Sequence, residues 1–154
     1  MKILTSYFYK VRFFAPFHIA FSTALWDPQW FHDFKGPSHI FIDKRGVVNG
    51  LRVPPLSPKC DACLHCDKTP LVRGESKNGT CPFLSAYSEQ LATLPNEKII
   101  NRFITISNEI KEELKFVEEP QIILLVHEAP TNPCSERIVL QKWLQGLGIE
   151  SYEF

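Results

Sequence analysis

Residues 121–129 read QIILLVHEA, a nearly continuous apolar run that follows Pro120 and ends in two ionisable residues and an alanine. Such a run is typical of a central strand in a parallel sheet, because that strand is buried on both faces. The next residues, PTNPCSERIVLQKWLQGLG, offer Asn132 as a helix N-cap, Pro133 at the first helical position and a glycine stop. A strand, a loop and a helix in this order predict an α/β fold with right-handed crossovers.

Alternating or amphipathic patterns on either side of this unit predict the remaining elements. The expected strands are KILTSYFYKV at residues 2–11, FHIAFST at 17–23, a strand or small hairpin turning at Arg45-Gly46 in residues 39–50, and IESYEF at 149–154. The expected helices are a short one in WDPQWFHDF with Asp27 as N-cap, and two amphipathic ones at 83–94 and 96–116, the second with Asn96 as N-cap.

The bulk composition favours one globular domain spanning residues 1–154, with a mostly parallel sheet flanked by helices. Lys plus Arg and Asp plus Glu each total 17, so the chain lacks the overall basic charge of a nucleic-acid coat protein. We find neither a run of 18 apolar residues for a membrane span nor a signal peptide at the start. The expected location is therefore cytoplasmic, where cysteines stay reduced.

Residues 51–81 show no helix or strand period and are interrupted by prolines and glycines. A loop this long needs an internal tether, and four cysteines supply one: Cys60, Cys63, Cys66 and Cys81. The spacing C-x2-C-x2-C-x14-C lets three thiolates face one ion from a tight turn, while the fourth closes the shell. We therefore predict an inserted loop held by one metal centre.

Four thiolates suit either a [4Fe–4S] cluster or a tetrahedral zinc ion. Three clustered cysteines with a remote fourth followed by proline are more similar to a ferredoxin run than to a zinc ribbon, so iron–sulfur is favoured and zinc is the alternative. Four separate reduced thiols are the third reading. A closed shell has no open coordination position, which favours a structural role.

Three residues near the predicted strand end form a candidate anion or catalytic site: Glu128, Cys134 and Arg137. Open α/β sheets bind ligands at the carboxyl ends of their strands, and a helix N-terminus lowers a thiol pKa and attracts anions. The alternative is that Cys134 is a small packed residue and Glu128 caps the loop. Aromatic residues around Tyr7 and Trp26, with Arg12, favour core packing, and a base-stacking groove is the second reading.

The chain resembles the family catalogued as domain of unknown function 488, over most of its length outside the cysteine loop. The C-terminal match consists of Leu124, Leu125, Glu128, Pro130, Cys134, Arg137, Trp143 and Leu144, and the N-terminal match of Thr5, Ser6, Tyr7 and Phe8, with Trp26 and Pro28. The family's C-H-R becomes C-S-E-R here, so its histidine is missing. The resemblance implies an α/β fold and adds Ser6, Tyr7 and Trp26 as candidate substrate or anion contacts.

Two functions follow from these patterns. The first is a small α/β enzyme acting on a nucleotide or nucleic acid, with an anion pocket at the Cys134 helix. The second is a non-catalytic binding module whose metal centre is purely structural. Convergence of polar groups at the strand ends favours the enzyme, and a flat surface with Glu128 bound to the backbone favours the module.

The cysteine spacing generates a prediction about metal content. We expect anaerobically purified protein to contain one metal centre, identified by elemental analysis and the visible absorption spectrum. Cys63→Ala should loosen residues 51–81, seen as faster limited proteolysis there. The far-UV circular dichroism of the rest should persist, because the segment 83–148 buries its own apolar faces. Global unfolding of the variant would contradict this expectation.

Overall fold

The computed structural model of this chain describes residues 1–32, 41–59, 82–127 and 135–154. Within these ranges the strands are β1 (Ile3–Tyr7), β2 (His18–Ser22), β3 (Phe41–Ile42), β4 (Val48–Asn49), β5 (Leu51–Arg52) and β6 (Gln121–Val126). The α-helices are α1 (Pro82–Ala92), α2 (Asn96–Leu114) and α3 (Arg137–Gly146). Short 3-10 helices span Phe8–Phe13, Gln29–His32 and Pro54–Leu56.

The main sheet has the strand order β1-β6-β2-β5, and all of its pairings are parallel. Strand β6 lies between β1 and β2, with Leu124 opposite Thr5 on one side and Phe21 on the other. The predicted central strand is thereby confirmed, as is the α/β class with a mostly parallel sheet. The chain end continues the sheet beyond β1, where the Ile3 N–H donates to the Glu150 carbonyl at 3.0 Å.

The sheet buries both of its faces, which explains the apolar run in β6. Ile122, Leu124 and Val126 belong to a core shared with helices α1, α2 and α3. Ile123 and Leu125 belong to a second core on the opposite face. Alternate side chains of a strand point to opposite faces, so a strand covered on both sides needs apolar residues at every position.

The second core is covered by the 3-10 helix Phe8–Phe13 and by the buried residues Phe14, Phe31 and Val47. The predicted strand 2–11 is therefore too long, since β1 ends at Tyr7. Phe8, Val11 and Phe14 are all buried and stand three residues apart, which is the period of a 3-10 helix. Strand β1 ends at Tyr7 because Phe8, Val11 and Phe14 pack against the sheet from a 3-10 helix.

Two further expectations need correction. Residues 51–81 were expected to lack strands, yet β5 pairs in parallel with β2 through Leu51 and Arg52. A two-residue strand is too short to show any period in the sequence. Helix α3 was expected to begin at Pro133, but it begins at Arg137 with Glu136 as N-cap. Cys134, expected at the second position of this helix, lies outside the described residues.

Most other predicted elements are present with small shifts, whereas the predicted last strand at 149–154 forms only isolated parallel bridges to Lys2 and Thr5. Strand β2 and helices α1 and α2 lie where the patterns place them, and residues 41–49 form the hairpin alternative. The N-cap of α2 is Pro95 rather than Asn96. The Asn96 side chain instead accepts a hydrogen bond from the Trp143 indole at 3.0 Å and so links α2 to α3. No helix among the described residues is long and apolar enough to cross a membrane.

Gly50 generates a stability prediction, because it carries the chain from the hairpin into β5 with a positive φ of 81°. A Cβ atom there would lie 2.4 Å from Cδ2 of Phe41. We expect Gly50→Ala to lower the free energy of unfolding by about 1–3 kcal/mol in urea titrations. Gly146→Ala is the control, since its Cβ would meet no atom within 4 Å. Equal stabilities of the two variants would contradict the argument.

Candidate functional site

Strands β1, β2 and β6 end at the same edge of the sheet, and a buried ion pair organises the chain beyond β2. The Asp27 side chain is 2% exposed, and its Oδ2 atom lies 3.4 Å from Nε of Arg52, the last residue of β5. Asp27 also accepts a hydrogen bond from the Ser22 hydroxyl. Arg52 donates to the carbonyls of Ala24 at 2.9 Å and Leu25 at 3.0 Å. The cluster fixes the loop that follows β2.

Sequence reasoning missed this cluster. It treated Asp27 as an N-cap and gave Arg52 no role. The two residues come from separate strands that meet only in the folded sheet, so no local spacing connects them. The available signal was weak, since Asp27 and Arg52 each stand next to or near prolines that mark chain turns.

Trp26 and His127 lie together beside this loop. The His127 imidazole contacts the carbonyl oxygen of Trp26, and its ring centroid is 5.3 Å from that of Phe8. The Trp26 indole is 68% exposed. The structure thus places Trp26 at the carboxyl edge, as the candidate site requires, with its ring free to contact a ligand.

Ser6 and Tyr7 project to opposite faces of the sheet. Ser6 is completely buried on the face of Leu4 and Phe8, and its hydroxyl has no hydrogen-bond partner in the described part of the chain. Tyr7 packs half-buried against the helix-side core and stacks on Tyr9 with ring centroids 6.0 Å apart. The two candidates therefore serve different surfaces rather than one shared pocket.

Arg137 lies in a polar cluster between α3 and the chain end. Its side chain is 12% exposed, and Nε lies 3.3 Å from Oε2 of Glu153. The same carboxylate accepts a hydrogen bond from the Thr5 hydroxyl at 2.8 Å, and Gln141 donates to Thr5 at 2.6 Å. Arg137 is thus turned towards β1 and the chain end rather than towards bulk solvent.

The other members of the proposed sites lie outside the described residues. These are Glu128 and Cys134 of the anion site and Cys60, Cys63, Cys66 and Cys81 of the metal site. In the ranges that the structure does describe, no group of three His, Cys, Asp or Glu side chains is placed to hold a metal ion. The convergence of Glu128, Cys134 and Arg137 and the four-cysteine metal centre both stay predictions.

The outward side chains of the 3-10 helix Phe8–Phe13 form two cation–aromatic pairs. The guanidinium carbon of Arg12 lies 3.8 Å from the Tyr9 ring centroid, and Nζ of Lys10 lies 5.6 Å from that of Phe13. Each pair is three residues apart, which is one turn of this helix. A cation over an aromatic face is attracted by the ring quadrupole, so each pair stabilises the positions of its two side chains.

A cleft of about 500 Å³ opens between this helix and the β3–β4 hairpin. Its aromatic walls are Phe8, Tyr9 and Trp30. Tyr9 is 52% exposed, and the Phe8 and Trp30 rings meet edge to face with centroids 6.2 Å apart. The cleft therefore offers aromatic surface to a ligand next to the carboxyl end of β1.

The two arginines that line the cleft are not equivalent. Arg45 donates to the carbonyls of Val11 at 3.0 Å and of Arg12, and it pairs with Asp43 at 2.7 Å. Its guanidinium therefore holds the hairpin to the end of the 3-10 helix. Arg12 uses Nε to reach the Tyr9 carbonyl at 3.1 Å, and its terminal nitrogens have no partner among the described residues. Arg12 is the cation available to a ligand.

Asn49 adds an unsatisfied polar group to the cleft lining. The residue is 2% exposed, and its Oδ1 atom has no hydrogen-bond partner in the portion of the chain described. A buried acceptor without a partner costs about 1–3 kcal/mol. A turn of the amide would present its nitrogen in place of its oxygen at the same position.

Comparison with protein-family models, with curated proteins and with solved structures finds no match to this chain. Function is therefore argued from the described geometry. The resemblance to the family of domain of unknown function 488 stays an expectation from sequence motifs.

The Arg137 cluster generates a pH prediction. Burial raises the pKa of the Glu153 carboxyl above 4.5, against the opposing effects of the Thr5 hydrogen bond and the charges of Arg137 and Lys10. A raised folded-state pKa favours the neutral form, so this group's contribution to stability is present at low pH and is lost as pH rises through the folded pKa. Glu153→Gln should therefore gain stability relative to the parent protein between pH 4 and pH 7.

Urea unfolding at both pH values measures this difference, with Glu150→Gln on the exposed side of the same segment as the control. An equal difference between Glu153→Gln and the parent protein at the two pH values would contradict the raised pKa.

Proposed function

We propose that this protein binds a nucleotide or a short single-stranded nucleic acid in the aromatic cleft beside the carboxyl edge of its sheet. The observation that carries the proposal is the Arg12–Tyr9 pair facing Trp30 across a cleft that also contains the unsatisfied Asn49 amide. Aromatic faces stack on bases, and an unpaired guanidinium attracts phosphate.

The size and composition of the cleft suit such a ligand. A volume of about 500 Å³ lies inside the range of about 300–1,000 Å³ typical of small-molecule sites. Trp30 supplies ring surface for a base, while the Arg12 guanidinium, held over the Tyr9 ring, attracts a phosphate next to the stacked base. Base stacking of this kind contributes about 1–3 kcal/mol per base.

Asn49 supplies the polar contact that orients a base. Asn amides form hydrogen bonds with the donor and acceptor edges of bases. A buried amide discriminates between bases most strongly, because a base that does not match leaves the amide without a hydrogen bond. The global charge balance is compatible with this ligand. A single local cation with stacking rings suits one or two nucleotides rather than a long duplex.

Chemistry at the carboxyl edge belongs to the same proposal. Glu128, Cys134 and Arg137 are the candidate catalytic residues, and Ser6, Tyr7 and Trp26 the candidate substrate contacts. Among the described members of this set, Arg137 is paired with Glu153. Because Arg137 is held by a partner within the protein, the described geometry supports ligand binding more directly than catalysis. A non-catalytic binding module is therefore the second candidate function.

The metal centre completes the proposal as a structural element. Cys60, Cys63, Cys66 and Cys81 would hold a [4Fe–4S] cluster or a zinc ion and tether the loop between β5 and α1. Membership of the family of domain of unknown function 488, a cytoplasmic location and the absence of a membrane partner are parts of the same proposal.

Titration of a fluorescein-labelled eight-nucleotide thymidine strand, followed by fluorescence anisotropy, tests the binding site. We expect Tyr9→Ala and Arg12→Ala each to weaken binding by about tenfold, which corresponds to about 1.4 kcal/mol. Arg12→Ala should also flatten the dependence of affinity on salt concentration, because one phosphate contact is lost.

Tyr152→Ala is the matched control. Tyr152 is also an exposed ring with a cation above it, since Nζ of Lys2 lies 5.4 Å from its centroid, but it lies on the far side of β1 in the chain end. We expect its loss to leave the affinity unchanged. No binding by the parent protein, or equal weakening in all three variants, would contradict the proposed site.

A further inference from the structure

A second groove lies on the opposite, helix-covered side of the sheet, between α2 and the segment that follows β5. Its volume is about 590 Å³. The buried part is apolar and includes Phe21, Ile99 and Phe103, while Pro54 and Pro55 form a rigid wall. The groove shares neither a face nor a lining residue with the aromatic cleft.

Two unpaired cations lie on one wall of this groove, where Lys98 and Arg102 stand one turn apart on α2. Arg52 lies on the opposite wall, but its guanidinium is bound by Asp27 and by the carbonyls of Ala24 and Leu25. Lys98 and Arg102 make no ion pair or side-chain hydrogen bond within the described residues, and no acidic side chain there lines the groove. The position of Lys98 in the first turn of α2 opposes the helix dipole, so helix stability does not explain it.

We infer that this groove binds an acidic peptide segment of a partner protein, with one or two apolar side chains seated between α2 and the proline wall. The accessible apolar surface of the groove, at Pro54, Pro55 and Ile106, favours apolar groups in the ligand. The unpaired Lys98 and Arg102 beside it favour negative charges next to those groups.

The same features distinguish a peptide from a nucleic acid. Phe21 and Phe103 are 1% and 2% exposed, so neither presents a face on which a base can stack. Aliphatic side chains of a peptide need no ring face and pack against the half-buried Ile106 and the exposed Pro54 and Pro55. Pro54 and Pro55 offer no N–H group to a peptide backbone, so side-chain contacts hold the peptide on that wall.

Fluorescence anisotropy with a labelled octapeptide tests the inference. The probe carries leucine at its third and sixth positions and glutamate at the others. We expect Lys98→Glu combined with Arg102→Glu to weaken its binding by about tenfold or more, because two exposed attractions become repulsions. Both side chains are exposed and unpaired, so the double variant should keep the parent's far-UV circular dichroism.

Three controls decide the outcome. Lys142→Glu, an exposed charge reversal on α3, should leave the affinity unchanged. A peptide with serine in place of both leucines should bind about tenfold more weakly to the parent protein, because it lacks the apolar anchors. The eight-nucleotide thymidine strand should bind the double variant as it binds the parent.

Unchanged binding of the leucine–glutamate peptide to the double variant would overturn the inference. Equal binding of the serine peptide would do so as well, since it would show attraction of charge alone. Equal losses for the oligonucleotide and the peptide would identify the groove as a general polyanion surface and would also overturn it. The Tyr9→Ala variant, which alters the other face, should bind the peptide normally.

Discussion

Strand β6 sits between β1 and β2, and the rest of the structure depends on that insertion. The two N-terminal strands pair with β6 over five residues each and not with each other. Strand β1 has no sheet neighbour from the N-terminal half among the described residues, and β2 has only the two-residue β5 there, so the two halves of the chain must order together. The apolar side chains of β6 are the condition for this, because the strand contributes to the core on both faces.

The insertion also decides where ligands can meet the protein. Since β1 and β2 are parallel and not adjacent, the chain must return from the carboxyl end of one strand to the amino end of the other. The 3-10 helix Phe8–Phe13 makes this return across the second face of the sheet. Its three-residue period sends Phe8 and Val11 inward, pairs Tyr9 with Arg12 and pairs Lys10 with Phe13. One local geometry thus buries a core stripe and exposes a stacking surface.

The sequence reveals those parts of the fold that depend on long periodic patterns. Strand β6, strand β2 and helices α1 and α2 each show a run or a period over several residues, and each was predicted. Strand β5 has only two residues, and the Asp27–Arg52 ion pair joins chain segments 25 positions apart, so neither leaves a local trace. The aromatic residues near Tyr9 were visible in the sequence as a group. Their division into buried and exposed members depends on the 3-10 helix, which the alternation in residues 2–11 concealed.

The start of α3 shows how a local signal can mislead about a site. Asn132 and Pro133 are good residues for beginning a helix, yet α3 begins at Arg137, after Ser135 and Glu136, which are buried outside it. Arg137 is therefore the first helical residue, and its guanidinium is directed to Glu153 at the chain end.

The chain is neutral overall, yet some of its cations lie apart from its acids. Asp27, Asp43 and Glu153 are each paired with an arginine inside the fold. Arg12, Lys98 and Arg102 remain without a carboxylate partner among the described residues, on two different faces. Each of these pairs removes one acid and one cation from the balance, so the local positive potential comes from the positions of the unpaired Arg12, Lys98 and Arg102 themselves. A formal charge count treats paired and unpaired groups alike. The lack of an overall basic excess therefore argues against a protein that coats nucleic acid, but it is compatible with two small surfaces that attract anions.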